Sequence, residues 1–372
     1  KNSRNWATTP RPTASTFKTF VLAAGLKDGF SLFSRFNGNT FTPPGDSSSV
    51  RNENSHQYGS AVTLLQATAL SINTAFVDLT VKMDNGPKKA MAIAEAAGAP
   101  KGPGWDKSSR LPLGTAEVSP LAQASAYATF ANGGVAVAQH VVKEVRDADG
   151  KVLYKARPAE KRAVSSDIAA DVTYALSSVV DGGTGRAVRS LNRPIAGKTG
   201  TKDREDDIVS AWFVGYTKQI STAVMYVAGN GGNDDLDPYA RPGDSTFFGG
   251  TYPALTWADY MAVATKGQPV EKFPEPAYLN SDGNPEQTVQ SEPTTEATRT
   301  AEPTETPEPT RTATTTQTPT TEPTDEETST APATTTPTAT PTDERTTKKR
   351  RPSPTPSGTI TSRRRGPHGG SQ

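Results

Sequence analysis

Cysteine is absent from the 372 residues. That removes disulfide frameworks, thiolate catalysis and cysteine-held zinc together. Histidine is almost absent. His56, His140 and His368 stand far apart, so a His-based triad or a His metal site would need a convergence that no spacing suggests. Neither a metal nor another cofactor is expected. No run approaches the ~18 apolar residues that suggest a membrane span, and no secretory leader is visible. A chain that starts on Lys1 rather than Met is read as a fragment that continues upstream. An excess of either sign of charge is missing as well, because Lys+Arg 40 against Asp+Glu 39 leaves a net charge of +1. What distinguishes the parts of the chain is where its apolar residues lie. The 4 Trp, 10 Tyr and 12 Phe all precede position 279, and over 281–372 only Val289 and Ile360 are large and apolar. Such a segment cannot offset its ordering entropy by burial and is expected to be disordered. Residues 1–280 remain as the folded body, enough for one large core.

The expected tail divides in two. Residues 282–344 are rich in Thr, Pro and acid, which makes an extended spacer. Lys348–Arg351 and Arg363–Arg365 are basic runs. They offer electrostatic adhesion to an anionic wall polymer or lipid, or else are solvated charge alone. Nucleic acid is disfavoured, because no aromatic interleaves them.

In the body, the apolar spacing predicts helices over Ser15–Leu26, Val62–Met83, Ala90–Ala97, Leu121–Phe130, 166–180 and Pro253–Thr265, with Gly29 and Asn132-Gly133-Gly134 as stops. Val141–Tyr154 reads as a hairpin turned at Asp149-Gly150. Ile195–Thr201, Val209–Tyr216 and Ile220–Ala228 read as strands with short links. These imply an antiparallel sheet, and the flanking helices imply that both its faces are covered. The fold class is therefore α+β.

Three segments carry chemistry. Ser15-Thr16-Phe17-Lys18 sets a hydroxyl and an amine three apart, on one face of a helix start. Ser71-Ile72-Asn73 puts two polar side chains in an apolar helical stretch, where an unsatisfied polar group costs about 1–3 kcal/mol. Lys198-Thr199-Gly200-Thr201 gives a strand a cation, two hydroxyls and a bare glycine that lets another backbone come close; such a strand suits a bound carboxylate. Taken singly, each has a plain structural reading. The first could be an exposed Ser and Lys, the second a kinked or internally satisfied core pair, and the third an edge strand guarded by charge.

Their joint occurrence in this order is far less probable by chance. The chain resembles the transpeptidase domain of class A (bifunctional) penicillin-binding proteins, of the kind found in actinobacteria. Ala14–Leu22, Ala69–Phe76, Ala196–Thr201, Ser210–Tyr216 and Tyr127–Gly134 carry the likeness, which covers roughly residues 1–267. It departs from many relatives at Ala14, where they have Gly; Ile72 replaces the Asp of class A β-lactamases, which is normal for large penicillin-binding proteins.

The resemblance implies an antiparallel sheet sandwiched by helices, with the first sheet strands and a membrane anchor upstream of Lys1. It implies that Ser15 attacks a D-alanyl-D-alanine bond of a peptidoglycan stem peptide and forms an acyl-enzyme. Lys18 would be the base, at a cost of roughly 4–5 kcal/mol to be neutral at pH 7. Ser71 would relay the proton to the leaving amine and Asn73 would orient the donor. Lys198, Thr199, Gly200 and Thr201 would hold the substrate carboxylate, and the Ser15 and Thr201 N–H groups would form the oxyanion hole. A second strand's amine would take the acyl group, and β-lactams would acylate the same serine. The work would be done at the outer face of the cytoplasmic membrane.

Two other readings stay open at this point. A β-lactamase needs a second base for deacylation, yet none of Glu95, Glu117, Glu144 and Glu160 is followed by the Leu-Asn of the class A loop. A non-catalytic β-lactam sensor would keep Ser15 and Lys18 but needs a transmembrane partner segment.

Overall fold

The computed structural model describes residues 4–205 and 207–281. The expected disordered tail, from Asp282 onward, lies outside the described residues.

At the centre is a helix that is apolar on every side. Ala14–Phe17 form a tight 3₁₀ turn that runs into α1 (Lys18–Lys27), and every α1 residue from Lys18 to Leu26 is buried. A helix without a polar face must be surrounded, and this one is. It packs on α4 (Gly86–Ala97), α6 (Ser166–Asp181) and α3 (Asn73–Lys82). Phe17 meets Phe20 and Trp105 edge-on at 5.2 and 5.5 Å. Each such ring removed from water contributes roughly 1.5–3 kcal/mol. The helix ends at Asp28, and Gly29 takes φ +102° just beyond it.

The single helix expected over Val62–Met83 is two. α2 (Leu64–Ala69) is capped by the Thr63 hydroxyl, which accepts from Gln66 N at 3.1 Å, and α3 restarts at Asn73. Between them Ser71 adopts φ +58°, a conformation that non-glycine residues rarely take. Ile72 beside it is only 1% exposed, so hydrophobic periodicity runs unbroken through a real break. α5 (Pro120–Ala131) and α6 begin where Ser119 and Ser165 cap them, and α7 (Tyr252–Ala264) closes the folded body.

The main sheet has three antiparallel strands in the order Ser221–Tyr226, Asp207–Tyr216, Ala196–Arg204. Every residue of the central strand from Val209 to Tyr216 is buried, so both faces are covered as expected. Alternation then divides the faces. Trp212, Val214 and Tyr216 join the large core with α1, α5 and α6, whereas Phe213 faces Trp257 of α7 at 5.3 Å. The link between the last two strands is four residues, Thr217 to Ile220, longer than expected. The hairpin at Asp149-Gly150 forms between Glu144–Arg146 and Val152–Lys155. A second pair, Val135–Val137 with Glu160–Arg162, lies at its base and has no counterpart in the sequence reading.

Residues 268–281 return over the body. The buried Asp171 carboxylate on α6 accepts from Tyr278 N and Leu279 N, both at 2.8 Å, and Asn280 Nδ2 donates to Leu26 O and Phe30 O. Two charge-assisted bonds thus fix this segment against α6, close to the C-terminus of α1.

Candidate active site

The turn that carries Ser15 is held from three sides. Thr13 N and Oγ1 both donate to Ala116 O at 3.0 Å, and Ala14 N donates to Gly114 O at 3.2 Å. Below, Gln123 Nε2 donates to Thr16 Oγ1 at 3.0 Å and Tyr127 OH to Thr16 O at 2.7 Å. From the sheet, Trp212 Nε1 donates to Pro12 O at 2.9 Å. Ala14 itself sits at φ +49°, where glycine is the unstrained residue.

Gly200 explains why the sheet can come so close. A Cβ there would stand 3.0 Å from Thr13 O and 3.2 Å from the Ala14 Cβ. The close approach expected of this bare glycine is made, and it is made to the serine turn itself. In the register, Lys198, Thr199, Gly200 and Thr201 oppose Val214, Phe213, Trp212 and Ala211.

The positive φ of Ser71 brings it and Asn73 to the same place. Lys18 Nζ lies 2.9 Å from Ser15 Oγ, 2.8 Å from Ser71 O, 2.6 Å from Asn73 Oδ1 and 3.3 Å from Ser71 Oγ. Lys198 Nζ lies 2.7 Å from Ser71 Oγ and 3.2 Å from Thr199 O. Ser71 therefore touches both amines. Both lysines are fully buried, at 0% exposure.

Burial and then the neighbouring Lys198 charge hold Lys18 well below the ordinary lysine range, against a smaller pull upward from Glu53. Burial brings Lys198 down to about 7. A neutral Lys18 amine has two hydrogens and one lone pair. Ser71 O and Asn73 Oδ1 can only accept and so take the hydrogens, which turns the lone pair to the Ser15 hydroxyl. The arrangement can deprotonate an alcohol and pass the proton along a second alcohol.

The lowered lysines make stability depend on pH. With Lys198 at about 7 in the folded protein and ~10.4 unfolded, the unfolded chain binds more protons between those values. Stability therefore rises with pH from about 7 toward 10, at roughly 1.4 kcal/mol per unit of displacement. Lys18 acts in the same direction. Above that window the buried Tyr127 and Tyr216, both raised by burial, reverse the trend. Urea unfolding across this range should give a steeper rise for the wild type than for Lys198→Met; equal slopes would contradict it.

The other predicted residues border one cavity of about 930 Å³ that contains Ser15, Ser71, Asn73, Thr199, Gly200 and Thr201. Lys198 is not at its surface, because it lies behind Ser71. A carboxylate in the cleft would meet Thr199 and Thr201 first, with the Lys198 charge behind them. Asn73 is likewise committed to the protein: its Oδ1 faces Lys18 and its Nδ2 donates to Arg51 O at 3.2 Å. Thr199 Oγ1 pairs with Thr184 Oγ1 at 2.7 Å, and Thr201 Oγ1 accepts from Gly249 N at 3.1 Å. No histidine lines the cavity. Among the described residues no three His, Asp or Glu side chains converge as a metal site would require.

Sequence reasoning missed the walls. Residues 49–55 form one rim, and Thr184, Arg186, Thr246 and Phe248 stand elsewhere around the cavity. The run Asn52-Glu53-Asn54-Ser55, with three turn-formers in four residues, was the available signal for the first.

The chain as a whole is similar to known proteins. The family model "Penicillin binding protein transpeptidase domain" matches residues 1–241. Penicillin-binding protein 1A of Mycolicibacterium smegmatis is 29% identical over 308 residues, covering 78% of this chain and 38% of that protein. Penicillin-binding protein 1A of Neisseria meningitidis serogroup A is 34% identical over 291 residues, covering 73% and 34%. The chain thus spans little more than a third of these curated relatives. The solved structure of the PonA1 protein from Mycobacterium tuberculosis in complex with penicillin V superposes with a TM-score of 0.66 at 28% identity, covering 75% of this chain and 76% of that one.

Proposed function

The chain belongs to the penicillin-binding protein transpeptidase family, and on that footing we propose that its cleft is a serine D,D-transpeptidase site that cross-links peptidoglycan stem peptides and is acylated by β-lactams. The observation that carries the reading is the contact of Lys18 Nζ with Ser15 Oγ at 2.9 Å, in a buried pocket that disfavours the charged amine. Lys18 takes the Ser15 proton as the oxygen attacks the penultimate D-alanine carbonyl. The N–H groups of Ser15 and Thr201 face the developing oxyanion. Ser71 Oγ lies 2.7 Å from Lys198 Nζ and 3.3 Å from Lys18 Nζ, so it can hand a proton to the departing D-alanine amine and be refilled from either lysine. The terminal carboxylate lies against Thr199 and Thr201, with Gly200 leaving room for the peptide and the Lys198 charge stabilising it from behind. Asn73 positions Lys18 and the rim as well as the donor.

The acyl-enzyme then meets the amine of a second stem peptide. A β-lactam follows the first half of this path, and its acyl group stays on Ser15. The proposal extends to the outer face of the cytoplasmic membrane as the place of work; no described helix is long and apolar enough to cross a membrane. Adhesion of the basic runs beyond Thr347 to an anionic wall polymer or lipid belongs to it too. The test is D-alanine release from a pentapeptide or lipid-linked donor by wild type and Ser15→Ala. Release by the wild type alone is expected; equal release by both would overturn the reading.

A further inference from the structure

The donor half of the cleft is furnished with hydroxyls and a buried cation. Its rim carries one acid whose place in the reaction is open. Glu53 lines the same cavity as Ser15, Ser71 and Asn73. Its carboxylate makes no hydrogen bond or ion pair with any described residue. Of the cations that border the cavity, Arg110 pairs with Asp46 at 2.7 Å and Lys202 with Asp203 at 3.5 Å, and neither Arg51 nor Arg186 forms an ion pair with Glu53.

The backbone that presents Glu53 is fixed to the reacting groups. Arg51 O accepts from Asn73 Nδ2 at 3.2 Å. Asn52 Oδ1 accepts from Thr74 N and Oγ1 at 3.0 and 3.1 Å, and Asn52 Nδ2 donates to Gly38 O and His56 O. Asn52 is buried, so Glu53 follows a residue with little freedom. Partial burial, and then the Asp203 charge on the sheet side, raise the Glu53 carboxyl above its usual range, against a smaller downward pull from Lys18.

An amine arriving at the acyl-enzyme must come over the atoms that the leaving amine passed, and that place is beside Ser71. Asn73, two residues on, holds the rim that carries Glu53. We propose that Glu53 is a specificity-determining residue that draws the protonated amine of a diamino-acid acceptor to the mouth of the cleft. This rests on the transpeptidase reading. Glu53 is not the base. A carboxylate is too weak a base to deprotonate an alkylammonium, whereas the Lys18 amine, held well below the ordinary lysine range, is in place beside Ser15. The ammonium gives one proton to solvent, its nitrogen bonds to the acyl carbon, the Ser15 ester C–O bond breaks, and the second proton passes by Lys18 to the Ser15 oxygen.

The experiment measures acyl transfer from a D-alanyl thioester by the full chain, wild type, Glu53→Gln and Glu53→Asp. The acceptors are a tripeptide with a free diamino-acid amine, and hydroxylamine, which is uncharged at neutral pH. Glu53→Gln should raise KM for the tripeptide about fivefold, the size of one exposed charge pair. kcat, penicillin acylation and transfer to hydroxylamine should stay unchanged, Glu53→Asp should recover part of the loss, and 1 M salt should erase the difference. An unchanged KM, an equal loss with hydroxylamine, or slowed hydrolysis of the acyl-enzyme overturns the assignment alone. Wild-type protein that transfers to no amine overturns the transpeptidase reading and this inference with it.

Discussion

Lys18→Met slows acylation by benzylpenicillin about a thousandfold, within the range for losing a positioned base, and leaves the protein folded. The methionine fills the same fully buried channel and removes an amine that is costly to bury. No other group can replace Lys18. Lys198 Nζ touches Ser71 Oγ and Thr199 O and has no contact with the Ser15 hydroxyl. Stopped-flow acylation with a fluorescent penicillin, set beside thermal unfolding, separates chemistry from folding. Acylation within tenfold of the wild type would mean that the Ser15 proton leaves by another route.

Ser71→Ala lowers acylation about a hundredfold or more, because it removes the one hydroxyl that contacts both amines. Here the control matters, since Ser71 sits at φ +58°, where alanine carries the same Cβ strain as the native serine. Ser71→Gly adopts that angle freely and lacks the hydroxyl. If the hydroxyl carries the effect, both variants are equally slow, although only the glycine variant is free of the strain at this angle. A Ser71→Gly variant that acylates normally would reduce Ser71 to a backbone hinge.

Much of the site could be read in the chain because chemistry at i and i+3 is local. Ser15 and Lys18 share one helical turn, and the contact follows from spacing. Gly200 was legible for a similar reason: a bare glycine between two threonines makes sense only where backbone comes close, and Thr13 O is there. Ser71 was not legible as a break, because Leu70 and Ile72 preserve the apolar pattern of a continuous helix while the backbone reverses between them. Lys198 showed as a cation on a strand, but its position behind Ser71 depends on the register with Val214 and on a 127-residue separation. The rim at Glu53 and the loop that presents Gly249 N to Thr201 are tertiary facts as well. Polar loops look alike in sequence until something rigid, here Asn52 under Thr74 and Gly249 against Gly200, fixes them.

The same reasoning explains the fold. Helices with clean starts, such as those capped by Ser119 and Ser165, lie within a residue or two of their expected bounds. The pair Val135–Val137 with Glu160–Arg162 was invisible, since three-residue strands more than twenty residues apart leave no periodic trace.

The most direct measurement is peptide mapping by mass spectrometry after a short exposure to benzylpenicillin. One penicilloyl adduct should be found on the peptide containing Ser15, persisting for hours and absent from Ser15→Ala. An adduct on another residue, or the lack of any adduct on folded wild-type protein, would contradict the assignment of Ser15 as an activated nucleophile.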